Sequence, residues 1–150
     1  MKLKFKNQDF QTDAVNAVAD LFQGHQKMRS TFEITQDAQI SFEQNDLGIG
    51  NGIIISDERL NENMHVVQRR NNLPTSDIKD GMRSFCIEME TGTGKTYVYT
   101  KTIFELHKRY GFTKFIIVVP SVAIREGVYK SLDITNEHFT VSYTHLTLPT

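Results

Sequence analysis

Apolar and polar positions change period several times along the chain. Lys2-Leu3-Lys4-Phe5-Lys6 alternates with period two, which predicts a short strand or extended arm with Leu3 and Phe5 inward. Phe10, Ala14, Val18 and Leu21 then recur at steps of four, four and three, with Val15 and Phe22 beside them. That spacing predicts an amphipathic helix over about 10–23, capped by Asp9 and ended near Gly24. From residue 84 the pattern sharpens. Ser84 to Met89 reads as a strand, Glu90 to Gly94 as a tight loop, and Lys95 to about Arg109 as a helix whose inward stripe is Tyr99, Ile103, Leu106 and Tyr110. Gly111 ends that helix. Lys114 to Val119 is the near-continuous apolar run that a parallel strand buried on both faces requires. Pro120 stops it, Ser121 caps the next helix, and Ile124, Val128 and Leu132 give that helix one apolar face. Asp133 and Glu137 fall in an expected polar turn beyond it. The sequence therefore predicts a β-loop-α-β unit within an α/β fold.

Residues 25–80 are polar and without internal repeats. A structureless loop of that length is unusual in a compact domain, so small elements are expected there, as an insertion or accessory layer before the later strand. Extended pieces are predicted at Phe32 to Thr35, Gln39 to Phe42 and Ile53 to Ile55. Ser56 or Asp57 is placed to cap a helix bearing Leu60, Met64 and Val67. Gly48, Gly50 and Gly52 punctuate the middle, and Asn71 to Ser76 reads as a loop. The last stretch, 140–150, has four threonines in eleven residues and no charged residue. It reads either as a terminal strand and tail, or as a tail of doubtful origin that follows a natural sequence ending near Phe139.

Composition narrows the class. Seventeen Lys and Arg against eighteen Asp and Glu in 150 residues give a formal net charge of -1, which argues against a uniformly basic nucleic-acid sheath and leaves a local basic groove open. The single cysteine, Cys86, cannot form an internal disulfide and reads as a small core residue in its strand. The histidines, His25, His65, His107, His138 and His145, have no metal-ligand spacing. The basic start runs into Asn7-Gln8-Asp9 rather than the apolar core of a signal peptide, and no run approaches about 18 apolar residues. A soluble, cytoplasmic protein with no membrane association is expected.

Thr91-Gly92-Thr93-Gly94-Lys95-Thr96 carries the chemistry. Glycines let a backbone turn its N–H groups onto a phosphate, the following helix N-terminus adds partial positive charge, and a lysine there reaches the β- and γ-phosphates. Thr96 would place its hydroxyl on Mg²⁺. The strict pattern has one more glycine, five residues before Gly94, where this chain has Met89. By composition alone Gly-x-Gly-Lys-Thr arises on the order of once in a few hundred chains of this length. Its rival is an ordinary glycine turn, and the strand and helix flanks favour the phosphate loop. Such a loop specifies a nucleoside triphosphate without specifying what it drives.

The neighbouring segments narrow that choice. Met89 to Thr96, followed by Ile117 to Val128 with Pro120, Ser121 and Arg125, resembles superfamily-2 helicase motors, and among them the restriction subunit of type III restriction-modification enzymes. Phe10-Gln11-Thr12-Asp13-Ala14-Val15 resembles the segment in which those motors place an adenine-reading glutamine. The resemblance spans roughly 8–132. It implies an incomplete RecA-like P-loop NTPase domain, a parallel sheet flanked by helices, over residues 1–139. It further implies that Gln11 reads adenine and that Thr91, Gly92, Thr93 and Gly94 cradle the phosphates of ATP. Lys95 and Thr96 would then be the catalytic pair, with Thr96 on Mg²⁺. Pro120, Ser121 and Arg125 would touch the nucleic-acid backbone. The implied partners are double-stranded DNA and a modification (methyltransferase) subunit, with a separate nuclease domain that cuts.

Plainer roles compete at single positions: a solvated glutamine for Gln11, a helix-surface pair with Glu126 for Arg125, a structural role for Glu88 and Glu90, and a solvated edge for Lys2, Lys4 and Lys6. Hydrolysis also needs a Mg²⁺-binding acidic pair after a later strand and an arginine from a second domain. Asp57-Glu58 stands upstream of the phosphate loop, in the wrong topological position. The expectation is therefore an N-terminal portion of a larger ATP-driven endonuclease, poorly active alone. The alternatives are another superfamily-2 helicase or a non-catalytic, truncated nucleotide-binding fragment.

Overall fold

The computed structural model describes residues 8–27, 51–79 and 81–143. The expected arm at Leu3 and Phe5, the extended pieces at 32–35 and 39–42, Gly48 and Gly50, and residues 144–150 lie outside them. Four helices are present among the described residues: α1 (Asp9–Ala19), continued by a 3₁₀ turn (Asp20–Phe22), α2 (Asp57–Arg70), α3 (Lys95–Tyr110) and α4 (Val122–Ser142).

Helix α1 begins one residue earlier than its pattern suggested. Gln8 is the N-cap, and Asp9 lies in the first turn, where its charge complements the helix dipole. Its buried face is Val15 and Ala19, continued by Leu21, while Phe10 is 49% exposed. Ala19 packs with Leu106, Tyr110 and Phe112, and Val18, Phe22, Ile53 and Phe115 close around them. Helix α2 is capped as expected: the Ser56 hydroxyl accepts from the Arg59 N–H at 3.3 Å. Leu60 and Met64 pack with Leu21, flanked by Phe22, Val67 and Ile78. Gly111, at φ 76°, closes α3 by donating its N–H to the His107 carbonyl. Side chains splice the irregular segments to this body. The Asn51 amide donates to the Lys114 carbonyl at 2.7 Å and accepts from the N–H groups of Thr113 and Lys114. The buried His25 ring sits 3.0 Å from the Gly52 carbonyl and stacks edge-on against Phe112.

In the expected inward stripe of α3, Leu106 and Tyr110 are buried, but Val98 and Phe104 take the place of Tyr99 and Ile103, which are half-buried. Two larger expectations need correction. The first is the parallel sheet. Among the described residues there is no β-strand, so the α/β, RecA-like class is not what the structure has; 82–90, 111–119 and 51–54 are irregular. A strand exists only where its N–H and C=O groups meet those of another strand; among the described residues these runs bond to side chains instead, as Thr113 and Lys114 do to Asn51. Apart from Phe112, Phe115 and Ile53, which pack around Ala19, many of their side chains stay open, with Ile116 91% and Val118 86% exposed, and Cys86 is exposed rather than a core residue.

The second is the end of α4. Ser121 caps it, accepting from the Ile124 N–H at 3.3 Å, but the helix runs on through Asp133 and Glu137 to Ser142, where a polar turn and a strand were expected. Packing of Phe139 and Tyr143 on α3 outweighs the weak helix preference of this stretch, while its hydroxyls are satisfied one turn back: Thr135 by the Ser131 carbonyl at 2.8 Å and Ser142 by that of His138 at 2.8 Å. The buried stripe is Thr135, Phe139 and Tyr143, further along than the predicted one; Ile124 is exposed. Phe139 and Tyr143 pack on Phe104 of α3, with Tyr97 alongside.

Candidate phosphate-binding site

The residues of the glycine-rich loop end at the first residue of α3. Gly92 and Gly94 have φ of 81° and 86°, the left-handed region that β-carbon-bearing residues enter only at a cost. Gly94 is the N-cap and has no side chain to offer the helix, so the first-turn amides keep room for an outside acceptor. Helices α2 and α4 differ, since a serine hydroxyl occupies that place in each. The loop is braced by the Thr93 hydroxyl, which donates to the Glu90 carbonyl at 2.7 Å. Lys95, Thr91 and Gly92 are exposed, and Thr96 is half-buried. A β-carbon on Gly92 would meet nothing within 4 Å, so the space above the loop is open.

Gln11 reaches this loop from α1 across 82 residues of sequence: its Nε2 donates to the Thr93 carbonyl at 2.9 Å. A β-carbon on Gly94 would stand 2.7 Å from the same Nε2. The side chain is therefore seated against the loop and is not a solvated surface glutamine. The structure thus brings together Gln11, Thr91, Gly92, Thr93, Gly94, Lys95 and Thr96.

Pro120, Ser121 and Arg125 stand apart at the start of α4. Ser121 uses its hydroxyl as the helix cap. Arg125 pairs with Glu126 at 3.0 Å, with both side chains more than half exposed, which is the helix-surface pair set against a functional role above. Asp57 pairs with Arg83 at 2.8 Å. No group of three or more His, Cys, Asp or Glu able to hold a metal ion occurs among the described residues.

A polar hub at the other end of α3 has no motif to announce it. Arg109 donates to Glu105 at 2.9 Å, to Asp20 at 3.1 Å and to Asn16 at 2.8 Å, and Asp20 also pairs with Arg70 at 2.8 Å. Tyr143 donates its hydroxyl to Glu105 at 2.7 Å, and Tyr110 to the Ala19 carbonyl at 2.7 Å. Burial alone raises the Glu105 pKa. The hydrogen bonds from Tyr143 and Arg109, with the charges of Arg109 and Lys108, outweigh it and hold the carboxyl below its ordinary value. Burial, then the neighbouring Glu105 carboxylate, pushes the Tyr143 phenol well up. None of these residues is singled out by the sequence for such a role; the step of four from Glu105 to Arg109 is the one local signal, and the long-range partners have none.

The family model for the type III restriction enzyme res subunit matches residues 4–145. The EcoP15I Res subunit of a type III restriction-modification enzyme from Escherichia coli is 34% identical over 142 residues, covering 92% of this chain and 14% of that protein. The EcoPI Res subunit of Escherichia phage P1 is 42% identical over 93 residues, 59% of this chain and 10% of that protein. The StyLTI Res subunit of Salmonella typhimurium is 47% identical over 66 residues, 43% of this chain and 7% of that protein. The chain thus spans at most 14% of the length of these relatives.

Proposed function

The chain belongs to the family of the res subunit of type III restriction enzymes, and on that premise we propose that it is the ATP-binding portion of a DNA-dependent ATPase and endonuclease subunit. The observation that carries this reading is the seating of Gln11 on a glycine-rich loop that ends at the N-cap of α3. The residues present fit ATP with Mg²⁺. Gly92 leaves the loop backbone bare, Gly94 starts the helix with no side chain of its own, and the Gln11 primary amide stands against Gly94, beside the loop, to meet a purine edge.

In this reading Gly92, Thr93 and Gly94, with Thr91, enclose the phosphates through backbone N–H groups. Lys95 neutralises their charge, and Thr96 offers its hydroxyl to the metal. When bound, ATP with Mg²⁺ supplies the phosphoanhydride whose hydrolysis drives movement. Gln11 acts twice: its Nε2 holds the Thr93 carbonyl, which fixes the loop, and its amide oxygen is the group available to adenine. Pro120, Ser121 and Arg125 are assigned to the nucleic-acid backbone, where contacts position without reading sequence; Arg125 would exchange its exposed pair with Glu126 for a phosphate. The whole protein would act on double-stranded DNA in the cytoplasm together with a modification subunit. No described helix is long and apolar enough to cross a membrane.

The test is binding of a fluorescent ATP analogue. Lys95→Ala is expected to abolish it, and equal affinity of the two proteins would overturn the assignment.

A further inference from the structure

Helices α3 and α4 meet along a staircase of rings: Tyr97 to Phe139 at 5.3 Å, Phe139 to Phe104 at 5.0 Å and Phe104 to Tyr143 at 5.2 Å, all near-parallel. Along this seam runs a cavity of about 190 Å³, lined by Lys101, Glu105 and Lys108 together with the His138 ring. Lys101 Nζ stands 6.0 Å from the centre of the Tyr97 ring, and Lys108 Nζ stands 5.5 Å from that of Tyr143. Each ammonium is held at an aromatic face. Neither lysine forms an ion pair among the described residues, whereas the carboxylate between them, Glu105, is engaged by Arg109 and the Tyr143 hydroxyl. The groove thus presents two ammonium groups without a direct ion-pair partner around one carboxylate whose hydrogen bonds go to Arg109 and Tyr143.

Spacing identifies what those charges suit. Residues seven apart on a helix share a face and lie about 10 Å apart along its axis. That is too far for one phosphate to bridge, and it lets the two ammonium groups meet two different phosphates of one backbone. The rings do not invite base stacking, since Phe139 is 1% and Tyr143 8% exposed. We propose that the α3–α4 groove is a second anion site, distinct from the glycine-rich loop, and that Lys101 and Lys108 bind the phosphodiester backbone of nucleic acid there. Contacts of this kind fix register on a duplex and are blind to its sequence.

The test is fluorescence anisotropy of a fluorescein-labelled DNA duplex of arbitrary sequence, titrated with the chain across a range of salt concentrations. The assay contains no nucleotide, so its outcome is separate from that of the phosphate-loop assignment. Replacing both lysines (Lys101→Ala with Lys108→Ala) is expected to lower affinity on the order of tenfold at low salt. It should also flatten the slope of log affinity against log salt by about 1.8, close to 0.9 per lost phosphate contact. The pair of arginine replacements should keep the wild-type slope. If circular dichroism shows the double alanine variant unfolded, Lys108→Gln alone should flatten the slope by about 0.9. An unchanged slope in a folded variant overturns the proposal. So does displacement of the duplex by inorganic phosphate beyond that by chloride of equal ionic strength, because a single free anion would then be the ligand.

Discussion

The two ends of α3 are held in opposite ways. At its C-terminal end, Arg109 ties α1 and α3 together through Asn16, Asp20 and Glu105, Tyr110 closes onto the Ala19 carbonyl, and Phe112 buries itself against Ala19. At its N-terminal end the glycine-rich loop is joined to α1 by one hydrogen bond, from Gln11 to the Thr93 carbonyl. The apolar run before that loop, with Phe85 at 36% and Ile87 at 43% exposure, stays uncovered. The difference shows where rigidity comes from. A helix anchored at its far end delivers the loop to a fixed place, while the loop's own shape depends on two left-handed glycines and one amide.

Perturbing the anchored end should have the largest effect. Arg109→Ala leaves Glu105 and Asn16 without a partner they now share, and it is expected to cost about 2–3 kcal/mol of unfolding free energy in urea, since hydrogen bonds to charged groups in half-buried places carry most of that. A loss under about 0.5 kcal/mol would mean that the two ends do not differ as described.

Acid sharpens the same contrast. Glu105 has a folded pKa below its ordinary 4.5, so its contribution to stability is fully present above that value and is lost as pH falls through the depressed one. Glu105→Gln should therefore be less stable than wild type at neutral pH, with the gap narrowing below pH 4.5. A gap that widens on acidification would contradict the hub.

At the loop end the expected cost is smaller and local. Gly94→Ala forces a β-carbon into the left-handed region at φ 86° and to 2.7 Å from Gln11 Nε2. Strain of about 1–2 kcal/mol follows. Thermal denaturation should register that modest loss, while binding of an ATP analogue should fall far more steeply. Parallel losses in the two measurements would erase the distinction between anchor and loop.

Much of this was legible from residue order, and the limits are physical. Helix ends are written locally: Ser56, Ser121 and Gly111 each terminate or cap the helix that the pattern assigned to them. The expected strands at 84–89 and 114–119 were read from apolar content, which reports a wish for burial and says nothing about a pairing partner. The extension of α4 to Ser142 was hidden because threonine and serine count against helix, and what overrides them is the long-range packing of Phe139 and Tyr143 on Phe104. Gln11 was singled out by its place in a motif, and the bond to Thr93 gives that place a physical meaning. The Arg109 hub joins residues about 90 positions apart in sequence, and no local pattern encodes such a meeting.

The most direct test of the central claim, that the loop at the start of α3 is the nucleotide site, is amide hydrogen exchange with and without a non-hydrolysable ATP analogue and Mg²⁺. The account predicts slowed exchange concentrated in residues 91–98 and around Gln11, with the Arg109 end of α3 unchanged. Protection elsewhere with no change in 91–98 would contradict it.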